Sequence, residues 1–219
     1  LVRTPFRHIK AEVMSNTNPA NAPAFPWHNN GRGHFEDVAQ SLGVDGPRRS
    51  FPVWFWDCNN DGWLDLYVAS YREGVEEVAR DYLGQAHESE TDALYLGDGE
   101  GGFREVSAEF GLVRVTQPMG CNFGDLDNDG WPDFYLGTGY PEYAGIMPNL
   151  LFHNQGGTRF ADVTFAAGFG HLQKGHGVSL ADFDRDGDLD VFQQIGGWSF
   201  TSIPPSFCRF EGISHSGYG

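Results

Sequence analysis

Cysteine is scarce in this chain: three in 219 residues, Cys58, Cys121 and Cys208. An odd, low count makes no disulfide framework, and no C-x-x-C spacing offers a zinc knuckle or a thiol-exchange site. Basic residues are scarce too, 14 Lys+Arg against 30 Asp+Glu, for a formal charge of -16. That balance argues against nucleic acid, or an anionic membrane surface, as the main partner. No apolar run approaches bilayer-spanning length, so no membrane insertion is expected. No basic-then-apolar leader opens the chain, so a signal peptide is expected to be absent or already removed. Asn-x-Ser/Thr acceptors, phosphate loops and Ser-His-Asp orders are also missing.

Glycine (30 residues) and aromatics (15%, with 18 Phe) are abundant instead. Many turns and many aromatics point to short strands, in a chain long enough to bury a sizeable core. A repeat organises them. Phe35 to Ser70, Phe103 to Thr138 and Phe160 to Ile195 align without a gap over 36 residues. The shared positions are Phe35/Phe103/Phe160, Val38/Val106/Val163, Gly43/Gly111/Gly168, Asp57/Asp125/Asp182, Asn59/Asp127/Asp184, Asp61/Asp129/Asp186, Gly62/Gly130/Gly187 and Asp65/Asp133/Asp190.

Each Asp cluster is flanked by short, mostly apolar runs. The second runs of the first two clusters lead to Gly-rich hairpins, a further hairpin stands ahead of the first cluster, and none follows the third. The hairpins read His28 to Phe35, Leu96 to Phe103 and His153 to Phe160. Asn, Asp and Gly supply the positive φ angles that tight hairpins need. One unit is therefore strand, Asp loop, strand and hairpin: four antiparallel strands, a propeller blade. The fold class expected is all-β, β-propeller blades with calcium loops, as a partial propeller. The expected division is an N-terminal extension (1–24), a half blade (25–48), blades at 49–112 and 113–170, a half blade (171–199) and an irregular tail (200–219). Within the insertion 71–92, Val75, Val78, Ala79, Tyr82 and Leu83 suit a short amphipathic helix or a solvated loop.

The Asp loops carry the chemistry. They read D-x-[DN]-x-D-G-x-x-D: Asp57, Asn59, Asp61 and Asp65; Asp125, Asp127, Asp129 and Asp133; Asp182, Asp184, Asp186 and Asp190. Hard oxygens at positions 1, 3, 5 and 9, with a backbone carbonyl at position 7 from Trp63, Trp131 or Asp188, suit calcium. Glycine at position 6 permits the sharp turn. Without a cation, such crowded carboxylates repel one another. An EF-hand needs an acid at position 12, and that position holds Val68, Leu136 or Gln193. Magnesium prefers fewer protein ligands. The alternative is an Asp-rich turn with no metal. Asn59 leaves the first loop one charge short, so it is expected to bind most weakly. About three ions would move the formal charge from -16 to about -10.

These loops and hairpins resemble FG-GAP/VCBS repeats, the blades of integrin-α-type propellers. Phe160 to Thr164 and Leu180 to Asp190 resemble the cartilage acidic protein (ASPIC/UnbV-associated) branch, and the resemblance runs from about Trp27 to Gly197. It implies structural calcium in the Asp loops and an extracellular, cell-surface or periplasmic location. The chain departs from the family in having two full units between two half units. It is expected to be a fragment of a longer protein, or a subunit whose open edges pair with another chain, ahead of the alternative that its two halves complete one blade.

Three functions follow. The leading one is a calcium-stabilised binding or adhesion module, taking a protein or glycan ligand on propeller-face loops such as 71–92 and 139–148. A glycan-active lyase or hydrolase and a structural subunit of a larger assembly are the alternatives. His28, His34, His153, His171 and His176 are weighed for catalysis, but His28 and His153 share a hairpin position, which points to repeat architecture. Trp54, Trp56, Trp63 and Trp131 either stack on sugars or pack between blades, and packing is favoured. Cys121 is expected to be buried on a strand, whereas Cys58 lies in a loop open to solvent.

Overall fold

The computed structural model describes residues 9–11, 26–71, 74–139, 145 and 147–195. Apart from 9–11, the extension expected at 1–24 lies outside the described residues, as does the whole tail at 200–219. The chain begins β1 (Ile9–Ala11), β2 (Pro26–Asn29), β3 (Phe35–Asp37) and α1 (Ala39–Leu42). Next come β4 (Ser50–Trp56), β5 (Asp65–Ser70), α2 (Val75–Tyr82), β6 (Ala93–Gly97), β7 (Phe103–Glu105) and α3 (Ser107–Phe110). A second set follows: β8 (Pro118–Gly124), β9 (Asp133–Thr138), β10 (Met147–Pro148), β11 (Leu150–Asn154) and β12 (Phe160–Asp162). The last strands are β13 (Leu172–Gln173), β14 (Gly175–Ala181) and β15 (Asp190–Ile195).

Two four-stranded antiparallel sheets form the centre, ordered β4-β5-β6-β7 and β8-β9-β11-β12. Each is a meander of the propeller-blade kind. The sheet β1-β2-β3 precedes them and the pair β14-β15 follows, so the fold is all-β and a partial propeller. Register repeats from unit to unit. The residue before each Asp loop pairs with the loop's last aspartate: Trp56 with Asp65, Gly124 with Asp133, Ala181 with Asp190. Each first strand also opens with a register shift, after Ser50, Pro118 and Gly175. Bulges of this kind bend a strand and increase its twist.

Alternation along β4 explains the packing. Trp54 and Trp56 face the second blade, where they join Tyr67, Phe134, Phe152 and Phe160 in one buried cluster. The Trp56 and Phe160 rings stack 5.6 Å apart, and Trp54 lies 5.7 Å from Phe134. The packing reading of both tryptophans therefore holds. Its cost is that both indole N–H groups are buried with no acceptor among the described residues. Val53 and Phe55 point the other way, into a cluster with Val44, Leu66, Val68 and Tyr95.

Two features differ from a simple strand reading. Gly43 and Gly111 end short helices, α1 and α3, in the left-handed conformation, and Gly168 shares it at a matching turn. The 71–92 insertion contains a helix, α2. Its Val78 packs with Val115 and Met147. Arg114 clamps it, donating from Nε to Asp81 Oδ2 at 2.9 Å with its guanidinium 4.9 Å over the Tyr82 ring. No helix among the described residues is long and apolar enough to cross a membrane.

Candidate metal centres

All three Asp loops close through one hydrogen-bond scheme. The N–H of position 5 donates to the Oδ1 of position 1: Asp61 to Asp57 at 3.0 Å, Asp129 to Asp125 at 3.1 Å, Asp186 to Asp182 at 3.1 Å. The same N–H is shared with the Oδ1 of position 3, Asn59, Asp127 or Asp184. Position 6 donates to the other oxygen of position 1, at 2.9, 2.9 and 3.2 Å. The N–H of Trp63, Trp131 or Asp188 at position 7 donates to Oδ1 of position 5. Finally, the N–H of position 2 reaches the last aspartate: Cys58 to Asp65, Leu126 to Asp133, Phe183 to Asp190. Gly62, Gly130 and Gly187 sit at φ of 89°, 90° and 102°, angles that a Cβ resists.

This scheme turns the carboxylates inward. Ligand atoms of Asp125, Asp127 and Asp133 lie within 4.8 Å of one another, as do those of Asp182, Asp184 and Asp190. Two oxygens on one calcium at 2.3–2.6 Å can be no more than about 5 Å apart. The donor set and its spread therefore fit a calcium-sized cation. Among the described residues, no such trio of acids or imidazoles forms in the first loop. There Asn59 holds the third position and its Nδ2 donates to Asp61 Oδ2 at 2.8 Å.

The loops also differ in cover. Gly97 N–H caps the free oxygen of Asp65 at 3.0 Å, and Asn154 N–H caps that of Asp133 at 2.7 Å. Both donors are the last strand residues before the Gly-rich hairpin. Asp65 and Asp133 are buried, whereas Asp190 is exposed and takes no such bond from the described residues. Burial pushes the Asp65 carboxyl up to about 6, against the N–H bonds from Gly97 and Cys58. Asp133 moves up for the same reason. A divalent cation would hold both ionised.

The hairpins serve the loops in another way. A Cβ at Gly157 would meet the Trp131 ring at 2.5 Å, and one at Gly99 would enter the Trp63 ring. Both loop tryptophans thus lie on their own hairpins. The third loop has Asp188 in that place. Cys58, expected at the surface, is fully buried. Its backbone N–H and its thiol both hydrogen-bond Asp65, and burial with that neighbouring carboxylate pushes the thiol pKa far up. Burial likewise pushes Cys121 up to about 12.

Sequence reasoning missed two sets of residues. His153 Nδ1 lies 3.4 Å from Asp127 Oδ2 and 3.2 Å from Asp133 Oδ1, so it joins the second loop's cluster. Leu96 holds the equivalent place in the first blade. The second set is Asp92 and Asn149. Asp92 is buried and accepts from Tyr67 OH (2.6 Å), Thr116 Oγ1 (2.6 Å) and Ser70 N–H (2.8 Å). Asn149 Oδ1 accepts from Thr138 N–H at 3.1 Å, the counterpart of Ser70. Both stand 11 residues before a hairpin phenylalanine, Phe103 or Phe160. That shared offset is the signal that would have found them.

Antiparallel four-stranded blades, joined by D-x-[DN]-x-D-G-x-x-D loops, define a class, and the chain is a protein of FG-GAP-type repeats. A family model described as FG-GAP-like repeat matches residues 79–136, from α2 through β9. The chain is 33% identical to mouse (Mus musculus) cartilage acidic protein 1 over 165 residues, which is 75% of this chain and 24% of that protein. Against the human (Homo sapiens) cartilage acidic protein 1 it is 33% identical over 144 residues, 65% of this chain and 20% of that protein. The chain thus spans about a quarter of the length of these relatives.

Proposed function

We propose that the three Asp loops are structural calcium sites and that the chain is part of an extracellular binding or adhesion module. The observation that carries the calcium reading is the loop scheme itself. One set of backbone-to-carboxylate bonds occurs three times, and in the second and third loops three carboxylates come within 4.8 Å of one another. Asp57, Asn59, Asp61 and Asp65 would hold one ion, with the Trp63 carbonyl. Asp125, Asp127, Asp129 and Asp133, with the Trp131 carbonyl, would hold the second. Asp182, Asp184, Asp186 and Asp190, with the Asp188 carbonyl, would hold the third. The ion supplies charge neutralisation and ties the two strands that each loop joins.

A secreted or cell-surface setting is supported by the similarity to cartilage acidic protein 1 and by calcium-rich surroundings that suit sites of this type. The partner would be a protein or glycan. It would use the connections 71–92 and 139–148, which follow the ends of β5 and β9 opposite to the Asp loops; residues 72–73, 140–144 and 146 of these connections lie outside the described residues. The edge of β15 supports a place in a larger assembly. Phe192 and Ile195 on it are 59% and 52% exposed, whereas every residue of β5 and β9 is buried. A third strand, from elsewhere in the polypeptide or from another chain, would cover it as β6 covers β5.

Equilibrium dialysis followed by metal analysis tests the calcium reading. About three calcium ions per chain are expected, with Asp61→Ala, Asp129→Ala and Asp186→Ala each losing one. A parent chain that retains no calcium sinks the reading and leaves the loops as metal-free turns.

A further inference from the structure

Position 4 of each Asp loop holds a residue in the left-handed region. Asn60, Asn128 and Arg185 have φ of 54°, 59° and 65°. Side chains avoid that region unless they are short and polar, which suits asparagine at two of the three. Both asparagine amides reach beyond their own loop. Asn60 Nδ2 donates to the Gly130 carbonyl of the second loop at 2.9 Å. Asn128 Nδ2 donates to Asp188 Oδ1 of the third loop at 2.6 Å. Each amide therefore grips position 6 or 7 of the next loop, at or beside the residue whose carbonyl is assigned to the cation.

A buried asparagine reinforces the first link. Asn154 Nδ2 donates to the Cys58 carbonyl in the first loop at 2.8 Å and to the Pro132 carbonyl in the second at 3.1 Å. The same residue's N–H caps Asp133.

We propose that the three loops form one coupled unit, in which Asn60 and Asn128 transmit order from each loop to the next. The proposal rests on the calcium reading above and adds how the sites communicate. Ligands at positions 3 and 5 flank position 4, so a cation in one loop fixes the backbone there and aims the asparagine amide. The aimed amide holds the Gly130–Trp131 peptide of the second loop, whose N–H already donates to Asp129 Oδ1 at 2.9 Å. The second loop then has less freedom left to lose when it binds its own ion. Linkage makes the effect reciprocal. Asn60 and Asn128 are positioning residues, not ligands.

Glycine is the test substitution, because it keeps the left-handed backbone and removes the amide. Asn60→Gly and Asn128→Gly leave every assigned ligand in place. Calcium titrations of parent and variants, followed by calorimetry and by NMR of the loop amides, read the coupling. In Asn60→Gly the second loop's affinity is expected to fall at least about fivefold. In Asn128→Gly the third loop's affinity falls instead. A readout without calcium accompanies it. In chelator, hydrogen exchange at the Trp131 amide quickens in Asn60→Gly, and at the Asp188 amide in Asn128→Gly. If both variants bind calcium with parental midpoints and show parental exchange, the coupling is wrong while the calcium sites stand. If the parent binds no calcium, the calcium reading fails and the coupling falls with it.

Discussion

The seam between the two full blades and the seam between the second blade and β14-β15 are built from opposite materials. At the first, rings fill the space: Trp54, Trp56, Phe123, Phe134 and Phe160 interleave, with Tyr67 5.0 Å from Phe134. At the second, backbones approach. A Cβ on Gly120 would fall on the His176 carbonyl oxygen, and one on Gly175 would meet Gly137 Cα at 2.5 Å. The polar bolt differs too. Asp92, a carboxylate, ties Tyr67 and Ser70 to Thr116 at the first seam. Gln193, an amide, accepts from Tyr135 OH (2.8 Å), Asn149 Nδ2 (2.9 Å) and Gln173 Nε2 (2.6 Å) at the second. Aromatic burial yields large apolar area, whereas glycine contact yields closeness with little area. The first seam should therefore belong to the most stable unit, and β14-β15 to the least.

The strongest challenge to this contrast is a matched pair of truncations. Trp56→Ala should cost about 4 kcal/mol, because it empties the centre of the first seam. Phe192→Ala, on the exposed β15, should stay within about 0.5 kcal/mol. Chemical denaturation of both variants checks this, and equal losses would erase the distinction. Next in size is the bolt. Burial lifts Asp92 to about 6 in the folded state, above the ordinary aspartate value near 4. The folded chain therefore binds that proton more tightly. Asp92 contributes most stability below about pH 4, and the contribution is lost as pH rises through about 6. Its size is on the order of 3 kcal/mol. Asp92→Asn should remove that part of the pH slope and leave the parts from Asp65 and Asp133. A variant that keeps the parental slope contradicts the assignment.

A smaller effect should be local. Gly120→Ala should cost about 2 kcal/mol by forcing β14 away from β8. Amide exchange should then quicken across β14 and β15 while β5 keeps its protection. Exchange that quickens everywhere would mean that the second seam is not a separate unit. The smallest change sharpens the comparison of loops. Asn59→Asp restores the missing charge and should tighten calcium in the first loop at least about tenfold, since tenfold is about 1.4 kcal/mol and an added carboxylate attracts a divalent ion by a few kcal/mol even in water. Unchanged affinity would show that charge count does not set the order.

Blade architecture was legible because its signals are local. Asp loops, hairpin glycines and strand alternation each act within a few residues, and they place β4 to β12 with little ambiguity. The repeated Gly43, Gly111 and Gly168 were visible, but the helical turns at the first two were not, since four residues carry too little periodicity. Cys58 misled because a loop position suggests solvent, whereas the neighbouring hairpin residue Asn154 covers it. His153 reaches the loop of its own blade from a hairpin far along the chain, whereas Asn60 and Asn128 act across blades. Their roles depend on which units become neighbours, and no pattern within a single loop encodes that.

The most direct measurement is a thermal melt in calcium, in magnesium and in chelator. The account predicts a calcium-specific rise in midpoint that grows with free calcium, as mass action requires of ions bound by the folded chain. Identical midpoints in all three conditions would contradict it.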